Sequence, residues 1–282
     1  AAGASEGWWA AAEMVQGKAL SFNNYADADA AWRLANDLPP GSAAIIKHTN
    51  ACGAAIGGSM YEAFRKAWAC DPLSAFGGVV ALNGPLDRDT AAEIARYFVE
   101  VVIAPSISDD ARGVLASKKN LRVLIAPAPS SHDLNLRTID DGFLVQRRDS
   151  VHGGTEDWET KSRQPTADEL RDLELAWVVA AHTTSNAIVV VNNGAAVGVG
   201  AGDQSRVGAA ERALVKAGER SVGAVAASDG FFPFRDGIDA LANAGITAIV
   251  EPGGSLRDDE VIAAAQEHDV AIMFTHRRHF RH

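Results

Sequence analysis

Cysteine is scarce: Cys52 and Cys70 are the only two, too few for a disulfide framework or a cysteine-based zinc site. The histidine–glutamate and Cys-x-x-Cys set of a zinc deaminase is missing as well, so zinc is not expected. No apolar run reaches the length of a membrane span, and nothing at the N-terminus reads as a signal peptide, which leaves the cytoplasm as the default location. A basic excess is also lacking. Lys and Arg number 26 against 36 Asp and Glu, a formal charge of −10, with the acidic residues scattered. Such a chain repels a phosphodiester backbone, so nucleic acid is not the expected partner, although a local basic pocket can still hold a small anion. The opening Ala1-Ala2-Gly3-Ala4-Ser5 carries no initiator Met and no structural start signal, as expected of a fragment.

What is present is an alternation of helix and strand signals over 282 residues, enough for one large domain or two smaller ones. The apolar run Ala43-Ala44-Ile45-Ile46 reads as a strand that opens into Lys47-His48-Thr49-Asn50. The small residues from Ala51 to Gly58 are expected as a loop that lets a ligand approach, with the turn near Gly53. Ser59 and Asp87 are helix caps, and the segments 77–82, 101–104 and 121–125 are strands. The pattern weakens from Pro127 to Arg163, where only 142–146 reads as a strand. Thr166 and Glu169 then form a capping box. The second half repeats the theme: strands flank Asn192-Asn193-Gly194, a hairpin signal, and a helix spans Arg206 to Ala217. Three further strands, near 224–227, 246–250 and 270–274, alternate with helices. The expectation is an α/β fold with mixed sheets flanked by helices, in two halves, 1–150 and 151–282.

Several motifs carry chemistry, each against a blander reading. Lys47-His48 sets a cation beside an imidazole at a strand end, though alone such a pair is usually just a surface strand end. Gly198-Val199-Gly200-Ala201-Gly202 suggests a dinucleotide turn, but Asp203 stands where the third glycine belongs and the incoming strand is part of a hairpin. His182-Thr183-Thr184-Ser185-Asn186 is a polar connection whose Asn186 can both donate and accept. The aromatics of Ser228-Asp229-Gly230-Phe231-Phe232-Pro233-Phe234 suit core packing or stacking on a flat heterocycle. The cationic tail 276–282 follows a core strand directly, so it is expected to be docked.

Taken in order, Lys47–Asn50, Asp71–Gly78, Thr183–Asn186, Gly200–Arg206, Ser228–Phe234 and Arg278–His282 resemble the aminoimidazole carboxamide ribonucleotide (AICAR) transformylase domain of bifunctional purine biosynthesis proteins. The resemblance covers nearly the whole chain. It implies transfer of a formyl group from 10-formyltetrahydrofolate, as cosubstrate, to the 5-amino group of AICAR. It also implies two cytidine-deaminase-like subdomains without zinc and a homodimer with shared active sites. By the same resemblance Lys47 and His48 are the catalytic pair, and Asn24, Phe76, Gly77, Glu100, Asn186, Arg206, Phe231 and Arg278 contact ligands. A structural monovalent cation such as potassium is implied near Thr183, Asp229 and His282. The family's phosphate-holding segment and its N-terminal cyclohydrolase domain would lie upstream of Ala1 and are absent from this sequence. A nucleotide-dependent oxidoreductase using the 198–202 turn, and a non-catalytic folate-binding or assembly module, remain the alternatives.

Overall fold

The structure, a computed structural model, describes residues 7–130, 134–151 and 154–282. The opening Ala1–Ser5 therefore lies outside the described residues. The strands are β1 (Glu13–Gln16), β2 (Ser42–Lys47), β3 (Asn50–Ile56), β4 (Gly78–Leu82), β5 (Val99–Ala104), β6 (Arg122–Ile125), β7 (Leu134–Ile139), β8 (Gly142–Arg147), β9 (Glu159–Thr160), β10 (Ile188–Asn192), β11 (Ala195–Gly200), β12 (Val225–Ser228), β13 (Ala248–Glu251) and β14 (Ala271–Phe274). Twelve of them form one sheet in the order β1-β6-β5-β4-β2-β3-β11-β10-β12-β13-β14-β9, and β7 and β8 pair separately. Strands β4, β5 and β6 run parallel, as do β12, β13 and β14, and the remaining pairs are antiparallel. The result is a mixed α/β fold.

Strand periodicity sends alternate residues to opposite faces, and both faces are covered. Ala44 and Ile46 meet the helices Phe22–Asp37 and Ala167–Ala181 in a core that runs across both halves. Ala43 and Ile45 face the helices Met60–Cys70, Arg88–Ile94 and Asp109–Leu115. On that same side, Ile188 and Val190 face Arg206–Ala217, Asp236–Asn243 and Asp258–Glu267. Each half thus repeats one order: a helix, a hairpin, then three helix–strand steps. The hairpins' second strands, β3 and β11, pair antiparallel and join the halves.

The caps form where the sequence signals them. Ser59 Oγ accepts from Glu62 N at 3.2 Å, Asp87 Oδ1 accepts from Thr90 N at 2.8 Å, and the Thr166–Glu169 box closes in both directions. Three readings need correction. The segment after Asn50 is no loop but strand β3, and the chain turns at His48-Thr49 rather than at Gly53. Gly53 serves packing instead. A Cβ there would sit 2.0 Å from the carbonyl oxygen of Ala67, so the glycine lets helix Met60–Cys70 lie flat on the strand. The helix Phe22–Asp37 escapes a hydrophobic-pattern reading because its buried face is built largely of alanines, Ala28, Ala30, Ala31 and Ala35. Strand β7 also escapes it, because its residues are exposed and alternate around no core.

Candidate active site

Strand directions bring the singled-out residues to one edge of the sheet. Because β2 runs antiparallel to β3 and β4, the end of β2 meets the starts of β3, β4 and β5. Because β11 runs antiparallel to β3 and to β10, the same edge also collects the end of β11, the start of β10 and the ends of β12, β13 and β14. Lys47, Asn50, Gly77, Glu100, Asn186, Arg206, Asp229 and the C-terminal tail all follow from that arrangement.

On the first half's side, Lys47 Nζ donates to the carbonyl oxygens of Phe76 and Gly77, each at 2.9 Å. Gly77 has φ +71°, and a Cβ there would lie 2.9 Å from that ammonium and 3.2 Å from the Phe98 ring, so only glycine leaves the lysine its place. Phe76 is 60% exposed and its ring sits 5.0 Å from that of Phe98, forming an aromatic shelf beside the ammonium. Asn24, buried in the first turn of helix Phe22–Asp37, donates to Glu100 Oε2 at 2.8 Å while its own oxygen completes a capping box with Ser21. Arg122 lies 3.9 Å from the same Glu100 oxygen. His48 is exposed in the two-residue turn between β2 and β3, and its ring makes no hydrogen bond to a described residue.

The second half's side centres on Arg206, buried at the N-terminus of its helix. Its guanidinium donates to Ser228 Oγ at 2.7 Å, Asp229 Oδ1 at 2.5 Å and Asn186 Oδ1 at 2.7 Å. Asn186 Nδ2 in turn donates to the Asp203 carbonyl at 2.9 Å. Asp229 is fully buried; its Oδ1 also accepts from Ala187 N, and its Oδ2 has no hydrogen-bond partner among the described residues. Thr183 is buried too and spends its hydroxyl proton on the Val179 carbonyl. Phe231 is half-buried ahead of the buried Phe232. The tail docks on this cluster: His279 N donates to the Asp229 carbonyl, and Ser185 N to that of Arg281. Arg278 remains exposed, stacked 5.2 Å over Phe280, and His282 ends exposed against the same ring. A bond of 2.8 Å from Thr184 N to Asn50 Oδ1 ties the Lys47–Asn50 turn to the loop before β10.

A family model described as the AICARFT/IMPCHase bienzyme matches residues 2–216. The bifunctional purine biosynthesis protein PurH of Parvibaculum lavamentivorans is 51% identical over 96% of this chain and 54% of its own length. PurH of Rhizobium meliloti is 50% identical over 97% of this chain and 54% of its own, and PurH of Rhodospirillum rubrum 50% over 97% and 55%. The chain belongs to the AICARFT/IMPCHase bienzyme family. It spans about half the length of the curated relatives it matches.

In the 198–202 segment Gly198 and Gly200, both on strand β11, serve the packing of helix Arg206–Ala217. A Cβ at Gly198 would stand 2.1 Å from the Ala213 carbonyl oxygen, and one at Gly200 1.9 Å from that of Ala209. Among the described residues no group of three or more His, Cys, Asp and Glu could hold a metal ion, and no helix is long and apolar enough to cross a membrane. Reading along the sequence passes over Phe98, Asp27 and Glu251. Asp27 Oδ1 accepts from Thr49 N at 2.7 Å. Glu251 is fully buried at the end of β13, where Oε2 accepts from Phe232 N at 2.7 Å and Oε1 has no hydrogen-bond partner among the described residues. Burial pushes its carboxyl up to about 8, Asp258 adding to the rise and Arg206 opposing it. Its only sequence signal is a carboxylate at the end of an otherwise apolar strand.

Proposed function

We propose that this chain moves a formyl group from 10-formyltetrahydrofolate to the 5-amino group of AICAR, in the route to IMP. The observation that carries the reading is the Lys47-His48 turn, tied through Asn50 to the Thr184 backbone beside the Arg206–Asp229 pair, in a chain of this family. The amine is a poor nucleophile because its lone pair is delocalised into the imidazole and carboxamide. Its proton must therefore leave as the new C–N bond forms, and the tetrahedral oxyanion needs a donor. Imidazole is the side chain that exchanges a proton near neutral pH, so His48 takes the base's role. Lys47 has three N–H donors and spends two on carbonyls, which leaves one for the formyl oxygen. When the intermediate collapses, the bond to N10 breaks and N10 takes up a proton, leaving tetrahydrofolate. One general base supplies ~10²–10⁴-fold in rate, so positioning of the two substrates supplies much of the rest.

The remaining groups bind and orient. The Phe76–Phe98 shelf suits a flat folate ring. Phe231 and the exposed Arg278 face ligand from the other half, while Asn24 and Glu100 act through the bond between them and Arg206 by holding Asn186 against the carboxamide. A structural monovalent cation such as potassium fits Asp229 Oδ2, a buried carboxylate oxygen without a hydrogen-bond partner among the described residues; it would supply countercharge there, with Thr183 and His282 as its other expected neighbours. We read the two halves as subdomains meeting near residue 150, the chain as a cytoplasmic homodimer with shared sites, and its ligands as AICAR and folate. Formyl-transfer assays on this chain, and on one extended upstream, test the reading. Turnover in either form supports it. Folate binding with no turnover in both forms would make the chain a binding module, and NAD-dependent hydride transfer would replace the reading outright.

A further inference from the structure

We infer that Asp27 is the positioning residue that holds His48 in its working conformation, an inference that rests on the formyl-transfer reading above. The turn joining β2 to β3 is two residues long, His48 and Thr49, between the paired Lys47 and Asn50. Both have positive φ, 51° and 61°. Tight hairpins of that kind favour Asn and Gly, and a β-branched residue such as Thr is ill suited to that region. Local preference therefore does not keep His48 where it stands. Asp27 does: its carboxylate, on helix Phe22–Asp37, accepts from the Thr49 backbone N–H at 2.7 Å. On the other side Asn50 is anchored by Thr184 N.

The fold carries its own control. In the second half Asp172 stands at the same place in its helix, the sixth residue of Ala167–Ala181 as Asp27 is the sixth of Phe22–Asp37. It accepts from Asn193 N and Gly194 N, each at 2.8 Å, in the hairpin between β10 and β11. That turn is Asn-Gly, with φ 51° and 72°, and forms willingly by itself. The same clamp thus holds a compliant turn at one edge of the sheet and, at the other, a turn whose residues suit chemistry better than geometry.

The test compares kcat and KM for formyl transfer in whichever form of the chain turns over, together with amide hydrogen exchange in the 47–50 turn. Asp27→Ala should lower kcat by about 10²-fold, the loss that a displacement of about 1 Å brings, with KM changed much less. Exchange of the Thr49 amide should rise at the same time. Asp27→Asn keeps an acceptor oxygen and should stay near the parent. Adding Thr49→Gly to Asp27→Ala should recover much of kcat, because glycine adopts positive φ freely. Asp172→Ala should leave kcat unchanged. An Asp27→Ala chain with parental kcat and slow Thr49 exchange overturns the inference, as does a loss of kcat that Thr49→Gly does not relieve. Parental turnover in His48→Ala would instead sink the formyl-transfer assignment of His48, which separates the two failures.

Discussion

His48 and Glu251 face opposite demands. His48 stands exposed, with no hydrogen bond from its ring to a described residue, as a group must be that exchanges a proton with substrate. His48→Ala should lower kcat by about 10²-fold or more while AICAR affinity, measured by calorimetry, changes only modestly, because a base acts in the transition state. Glu251 is sealed beneath the Phe231–Phe234 loop and holds the Phe232 N–H. With its carboxyl raised to about 8, the folded state binds a proton that the unfolded chain releases near the ordinary glutamate value. Its contribution to stability is full below about pH 4.3 and declines as pH rises to about 8, beyond which the loss is complete. Glu251→Gln keeps the acceptor without the charge. Denaturant titrations should show the variant gaining on the parent as pH rises, by about 5 kcal/mol at most. An equal gap at pH 5 and pH 9 would contradict the buried neutral acid.

Helix–strand contact in both halves is set by glycines on the two central strands. Gly53 admits helix Met60–Cys70, while Gly198 and Gly200 admit Arg206–Ala217. Gly200→Ala would drive a methyl group against the Ala209 carbonyl oxygen and must push apart the helix that carries Arg206. Overpacking of this kind costs about 1–3 kcal/mol. The melting temperature should fall by roughly 2–4 °C for each kcal/mol in a chain of this size, and formyl transfer should fall with it. Gly113, in helix Asp109–Leu115, provides the contrast, since a Cβ there meets nothing within 4 Å. Gly113→Ala should be neutral or stabilise by up to about 1 kcal/mol through the unfolded chain. Parental melting temperature and activity in Gly200→Ala would show that the strand and helix separate at no cost.

Across the whole molecule the sheet is continuous through β3 and β11, and a single core carries Trp32 of the first half and Trp177 of the second. Neither half can lose its strands without baring the other's edge and core. Unfolding by urea should therefore be one transition, with single-tryptophan variants that keep only Trp32 or only Trp177 reporting the same midpoint. Separated midpoints would mean that the halves fold independently. The dimer proposed above makes a second claim at this scale. Activity per chain should fall on dilution towards the dissociation constant, and mixing His48→Ala with an Arg278→Ala chain should restore part of it through hybrid sites. A fully active monomer in sedimentation at micromolar concentration would remove the shared-site idea.

Local chemistry alone determined the caps at Ser59, Asp87 and Thr166, the turn at Asn193-Gly194 and the helix Arg206–Ala217, because each depends on residues within a few positions of one another. The mixed α/β class follows from the same signals. The His48-Thr49 turn was not legible, since its residues have the wrong local preference and Asp27, which holds it, lies 22 positions away. The alanine face of Phe22–Asp37 gave too weak a hydrophobic pattern to mark a helix. Only the tertiary structure decided that Asn50 meets Thr184 across 134 positions, and that Arg206 spends its guanidinium on Asn186, Ser228 and Asp229. Those contacts arise where antiparallel pairing of β3 with β11 turns both halves' strand ends to one edge. Pairing between distant strands leaves no periodic trace along the chain.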